Sequence, residues 1–179
     1  MGSIPAEGTT NMKIIGFNLE KTVYGLPLDN GGACLIIDGE VVMAINEERL
    51  NRKQYSTGFR QSINYLLKNN NLELNDIDFF VASSCLEPKQ GIENIQQQLK
   101  ENGFEISSEK IKVCDHHLSH AFAAYYPSKF DKALIMVVDG DGNTLTDKME
   151  AGTDNEEKYW FNQNEHNSYY IGRGDQIEF

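Results

Sequence analysis

At 179 residues, with 40% hydrophobic and 10% aromatic side chains, the chain is long enough for one domain with a real core and is ordinary for a soluble globular protein. A net charge of −11 leaves no basic stripe to neutralise phosphates, which argues against a nucleic-acid partner. The longest apolar runs are strand-sized, too short to span a membrane. Cys34, Cys85 and Cys114 are odd in number and widely spaced, which fits a reducing cytoplasm better than a disulfide framework.

The first residues, 1–12, are small and polar without an apolar run, and read as a flexible leader rather than a secretory signal. Lys13 to Asn18 is the first predicted strand, followed by a loop holding Asp29, Asn30, Gly31 and Gly32. Ala33 to Ile37 and Val41 to Ile45 follow as strands around Asp38-Gly39, a hairpin turn signal, and Glu47-Glu48-Arg49 closes the third strand with charge. Phe59, Ile63, Leu66 and Leu67 predict a helix over 58–69. Ile77 to Ala82 is the next strand, and Ile92 to Leu99 a helix with a Gln-rich outer face, stopped by Gly103. Ile111 to Cys114 is a strand running into the histidines. Ser119 to Tyr125 is an Ala-rich helix that Pro127 stops. Lys132 to Val138 is a strand, and Thr144 to Asp147, Tyr159 to Phe161 and Tyr169 to Ile171 read as short hairpin strands. Three meandering strands before alternating helices and strands follow the ribonuclease-H-like α/β plan. The expected division is a first subdomain over 13–131 and the start of a second over 132–179.

Four constellations carry chemistry. His116 and His120 are four residues apart, so on a helix both imidazoles leave one face and can grip one divalent metal, while His117 points about 100° away from His116. The first turn of a helix disfavours imidazolium and so favours the ligating form. Solvated or hydrogen-bonded histidines at a polar helix start satisfy the same spacing. Two donors leave a site open, so a third must come from elsewhere, and Asp115 is a candidate partner for a ring N–H. Asp139-Gly140-Asp141-Gly142 ends an apolar strand in a turn that can face nucleotide phosphates or simply make a tight hairpin. Asp29-Asn30-Gly31-Gly32 can cradle a phosphate or merely supply positive φ. Arg49, Arg52 and Lys53 can hold a small anion or form a solvated edge.

Taken together these residues resemble the N-terminal part of the carbamoyltransferase family that includes nodulation-factor and antibiotic O-carbamoyltransferases. The resemblance runs from about Lys13 to the end. It rests on Ala33-Cys34-Leu35 with Asp38-Gly39-Glu40, on Glu47-Glu48-Arg49-Leu50-Asn51-Arg52, on His116-His117-Leu118-Ser119-His120-Ala121, on Tyr126-Pro127-Ser128 with Phe130, and on Asp139-Gly140 with Gly142. It implies a threonylcarbamoyl-transferase-like domain of the actin-like ATPase superfold, here the first ribonuclease-H-like half with the beginning of a second.

The resemblance implies transfer of a carbamoyl group, through a carbamoyl-adenylate made from ATP and carbamoyl phosphate, to a hydroxyl of a small acceptor. It implies a metal at His116 and His120, with Fe2+ favoured and Zn or Mn alternatives, and nucleotide phosphates at the turn from Asp139 to Gly142. Two positions depart from the family pattern: Leu28 stands where a His precedes Asp29, and Gln54 stands where a Lys follows the Glu-Glu-Arg stretch. With the chain ending at Phe179, the expectation is a portion inactive alone, whose cleft the remainder of the enzyme or a partner chain completes. An isolated half would expose an apolar face and self-associate, as a homodimer or less specifically. The competing readings are a non-catalytic interaction module and an ATPase or kinase-like member of the same superfold.

Overall fold

Alternation in Lys13-Ile14-Ile15-Gly16-Phe17 sends Ile15 and Phe17 to one face, and both are buried in strand β1 (Lys13–Phe17). The structure, a computed structural model, describes residues 11–22, 24–86, 88–140 and 166–178. Strands β2 (Gly32–Ile37) and β3 (Glu40–Asn46) form the expected hairpin. Its turn residues Asp38 and Gly39 have φ of 51° and 85°, the two positive values that a two-residue type I′ turn demands. β1 pairs antiparallel with β2 and parallel with β4 (Phe79–Ser84), and β5 (Ile111–Asp115) completes the order β3-β2-β1-β4-β5. This mixed five-stranded sheet has the ribonuclease-H-like order.

The charged stretch after β3 departs from expectation. Glu47–Asn51 is a short helix, α1, and Glu47 is 3% exposed rather than solvated. Its Oε1 accepts the backbone N–H of Ser62 at 2.7 Å, in the first turn of α2 (Arg60–Asn69). Phe59 occupies the N-cap of α2 and has no side-chain acceptor, so a carboxylate from outside the helix satisfies the free amide. Helix α3 (Pro88–Glu101) starts earlier than predicted. Its glutamines do not all face outward: Gln97 is exposed, but Gln98 is buried. Gln98 Oε1 accepts the amides of Glu20 and Lys21 at 2.9 and 3.2 Å, and its Nε2 donates to the Lys21 carbonyl at 2.9 Å. A side-chain amide matches a passing backbone in both polarities, which lets it sit inside.

The chain divides into two compact units, one from the chain up to Ala82 together with Ile92–Lys112, the other from Ser83–Gly91 together with Val113 onward. The first is cored by Ile15, Leu35, Phe59, Ile63, Phe80 and Leu99, all fully buried.

In the second unit, helix α4 (His116–Ser128) lies against an antiparallel sheet of β6 (Lys132–Val138), β7 (Asn167–Arg173) and β8 (Gln176–Glu178). The helix begins three residues before the expected Ser119, because Asp115 caps it: Leu118 N–H donates to Asp115 Oδ1 at 3.2 Å. Asp115 therefore serves the helix backbone. Pro127 lies inside the last turn rather than ending it, and Lys129, with φ 59°, closes the helix in the left-handed region. Thr144 to Asp147 and Tyr159 to Phe161 lie outside the described residues; Tyr169 to Ile171 falls within β7.

α4 buries His117, Ala121 and Tyr125, and β7 buries Ser168, Tyr170 and Gly172. Eight helical residues rise about 12 Å and four strand residues about 13 Å, so the two stripes match in length. Tyr125, Ala121, Tyr170, Ile135 and Val137 form one core cluster. Gly172 is where the ring of Tyr125 rests: a Cβ there would collide with three of its ring carbons. The opposite face of the same strands is also apolar, with Leu134, Met136, Val138, Tyr169 and Ile171 exposed.

Candidate metal centre

α4 starts directly at His116, so His116 and His120 occupy its first and second turns on one side, as their spacing demands. β6 runs beside this helix, and its in-facing residues alternate as Ile135, Val137 and then Asp139, one step past the strand end. The three side chains meet. Asp139 Oδ2 stands 2.9 Å from His116 Nε2 and 3.0 Å from His120 Nε2, and the two ring nitrogens are 3.3 Å apart. The imidazoles stand nearly edge-on, with 86° between their planes.

The backbone holds Asp139. Its N–H donates to the His166 carbonyl at 2.9 Å, extending the β6–β7 pairing by one position, and Gly140 N–H donates to its Oδ1 at 2.6 Å. One carboxylate oxygen is thereby fixed and the other aimed at the rings. The hydrogen bond from His116, then that from Gly140, hold the Asp139 carboxyl below its ordinary range, with burial opposing. Its ionised form is the one the site is built for.

The donor set suits a divalent cation. With bonds of roughly 2.1 Å, donors at right angles stand about 3.0 Å apart and tetrahedral donors about 3.4 Å, and all three observed edges fall at or near that range. Two imidazoles and one carboxylate on one side, with the other side open, match borderline metals such as iron or zinc and leave positions for a substrate. His120 is half exposed and His116 a quarter exposed, so a ligand can reach the cluster. Among the described residues it is the one cluster of three histidine, cysteine or acidic side chains close enough to share an ion.

His117 turns the other way. It is fully buried, with Nδ1 hydrogen-bonded to Ser168 Oγ at 2.7 Å. Of the predicted phosphate turn, Asp139 and Gly140 are described and Asp141 and Gly142 lie outside the described residues; the Asp139 side chain faces the histidines.

The loop from Asp29 to Gly32 belongs to the first unit. Its positive φ of 60° falls on Asn30, not on a glycine. Gly31 is required by close approach, since a Cβ would collide with the backbone of Thr57 and Gly58, and Gly31 N–H donates to the Ser56 carbonyl at 2.7 Å. Leu28 is partly exposed beside it, its N–H donating to the Glu20 carbonyl at 2.9 Å. Arg49, Arg52 and Lys53 are exposed, Arg49 reaching Glu48 at 3.5 Å, and Arg52 ends α1 with φ 62°. Ser168 and Asp139 are the partners that local reading missed, because each meets its histidine only through the strand packing of the second unit.

Residues 22–90 match the family model described as carbamoyltransferase N-terminus. The nodulation protein NolNO of Sinorhizobium fredii is 31% identical over 153 residues, a match covering 73% of this chain and 22% of that protein. An uncharacterized protein of Synechocystis is 27% identical over 164 residues, covering 71% of this chain and 26% of its own length. An uncharacterized protein of Methanocaldococcus jannaschii is 30% identical over 118 residues, covering 65% and 21%. The chain thus spans about a quarter or less of the length of these relatives. YeaZ from Pseudomonas aeruginosa superposes with a TM-score of 0.41 and 11% identity, covering 70% of this chain and 54% of that one, a likeness too slight to add to the fold. The family-model match over residues 22–90 and the likeness to NolNO support a carbamoyltransferase-family N-terminal domain in this chain.

Proposed function

We propose that this chain is the N-terminal portion of an ATP-dependent O-carbamoyltransferase, and that His116, His120 and Asp139 hold its divalent metal. The meeting of two imidazoles and a carboxylate within 3.3 Å of one another is the observation that carries the reading. Bound there, the metal would act as a Lewis acid on a carbamoyl or phosphate oxygen. The chain's own residues do the rest of the work at this end of the site. Asp115 fixes the first turn of α4 and with it His116; Gly140 pins one oxygen of Asp139 so that the other faces the rings. The N–H groups of Asp139 and Gly140 are already engaged, by the His166 carbonyl and by Asp139 Oδ1, so a contact of this turn with nucleotide phosphates would fall to Asp141 and Gly142.

In the reaction as a whole, carbamoyl phosphate would lose inorganic phosphate to water to give carbamate, whose oxygen would displace pyrophosphate from the α-phosphate of ATP to form the carbamoyl-adenylate. The acceptor oxygen would then bond to the carbamoyl carbon as AMP leaves, the acceptor's proton passing to solvent. The chain spans about a quarter or less of its relatives' length, and most of that machinery would lie in the part that it does not span. A second reading, a module whose partner completes it, is favoured by the exposed apolar face of β6 and β7.

The test is carbamoyl transfer and phosphate release by the whole gene product, with carbamoyl phosphate and ATP, against His116→Ala and His120→Ala. The expected outcome is loss of about 100-fold or more in both variants, with bound metal lost in parallel. Unchanged rates in both would remove the metal role, and the 179-residue chain on its own is expected not to turn over.

A further inference from the structure

Among the described residues of the second unit, one fully buried polar contact lies beside the candidate metal centre without supplying a donor to it. His117 is 0% exposed and Ser168 2%, and their 2.7 Å hydrogen bond joins α4 to β7 across fifty-one residues of sequence. Two features make this bond more than a satisfied core pair. First, Ser168 is the cross-strand partner of Val137, and Asp139 lies two residues beyond Val137 on the same face of β6. The bond therefore fixes the helix at the last inward-facing rung of the ladder before the carboxylate, two residues away. Second, helical geometry places His116 and His120 on one side of His117, about 100° and 60° from it. Any rotation or slide of α4 that lengthened the bond would swing both imidazoles relative to Asp139.

Along its middle the helix meets the sheet through the apolar cluster of Ala121, Tyr125, Ile135, Val137 and Tyr170, and near its C-terminal end Tyr126 Oη donates to the Asp175 carbonyl at 2.7 Å. The apolar contacts are non-directional and tolerate small displacements, whereas a short buried hydrogen bond does not. A metal site needs its donors within a few tenths of an ångström. Tyr125 against Gly172 fixes the far end of α4; His117 with Ser168 fixes the near end, at the ligands.

We propose that His117 and Ser168 are positioning residues that index α4 against β7 and thereby set the convergence of His116, His120 and Asp139. This deepens the functional reading above and rests on it. The test is titration of the full chain with Co2+, reading dissociation constant and visible absorption bands, for wild type, Ser168→Ala, Ser168→Thr and the control Val137→Ala. Urea unfolding selects conditions in which every variant is folded. Ser168→Thr keeps the hydroxyl and should match wild type in affinity and spectrum. Ser168→Ala should bind about tenfold more weakly with displaced bands, the low end for loss of a supporting contact. Val137→Ala loosens the same core without touching the bond, and should lower stability with the spectrum unmoved.

If Ser168→Ala does not fold, Ser168→Cys takes its place, keeping the volume and weakening the bond. Wild-type affinity and bands in the folded variant would overturn the proposal, as would an equal change in Val137→Ala. A wild-type chain that takes up no cobalt would overturn the metal reading itself, and this inference with it.

Discussion

The carboxylate of Glu47 and the backbone N–H of Ser62 meet at 2.7 Å, although fifteen residues and a helix boundary separate them. A buried acid is thus the cap of a helix to which it does not belong. Glu47→Ala leaves the Ser62 amide buried without its acceptor, and should lower unfolding free energy by about 1–3 kcal/mol. Glu47→Gln keeps an acceptor oxygen and should cost less. Urea midpoints at constant m-value would check the order.

Asp139→Asn tests the third donor separately from the histidines. A carboxamide retains the shape and the bond from Gly140 but loses the charge and most of the affinity for a divalent ion. Cobalt or zinc affinity should fall by about 100-fold or more while the far-ultraviolet spectrum stays unchanged. Retained affinity would show that the carboxylate is only a neighbour.

At Gly172 the helix and strand come closest. Gly172→Val must displace the Tyr125 ring, and overpacking of this kind costs about 1–3 kcal/mol. The double variant with Tyr125→Ala should lose less than the sum of the two single losses, because the removed ring no longer meets the added methyls. Thermal unfolding of the two single variants and the double variant would show the coupling.

Lys21 and Glu101 form an exposed ion pair at 2.6 Å in the first unit. Each raises or lowers the other: the hydrogen bond from Lys21 holds Glu101 below its ordinary value, and the bond to Glu101 holds Lys21 above its own. The Glu101 contribution is present above its unfolded pKa of about 4.3 and is lost as pH falls through the folded value. The Lys21 contribution is present below about 10.4 and is lost as pH rises through its folded value. Denaturant midpoints of wild type and Glu101→Gln should therefore differ slightly across the neutral range and converge in acid. Added salt should shrink the difference.

Burial pushes the Cys34 thiol up, and burial pushes Cys114 up as well, with the Asp115 charge adding to it. The thiolate is the reacting form, so both should alkylate slowly at pH 7–8. Cys85 is exposed and should be modified first. Mass spectrometry of a timed iodoacetamide reaction would give the order.

Local chemistry made much of this structure legible. Asp38-Gly39 specified its hairpin because few residue pairs accept two positive φ values in succession. His116 and His120 were identifiable because a helix fixes side-chain direction every fourth residue. Glu47 and Gln98 misled because residue type alone sends them to solvent, whereas each meets backbone groups supplied by a distant segment. Asp139 reads locally as a turn residue; that its side chain faces α4 depends on which face of β6 is packed, and local pattern does not settle that. Ser168 carried no signal at all, since nothing in Asn167-Ser168-Tyr169 refers to a histidine fifty-one residues earlier.

Strand β6 is apolar on both surfaces, with Ile135 and Val137 inward and Leu134, Met136 and Val138 outward. For a sheet with one greasy side, sliding a strand by a single residue would turn its oily groups to water, and that penalty enforces the alignment. For β6 the penalty is nearly absent, since either of its alignments shows oil to both sides. Correct strand choice must then rest on the few positions that are not interchangeable: the missing side chain at residue 172 and the hydroxyl at residue 168. A slipped hairpin is the misfolded form to expect when either is replaced.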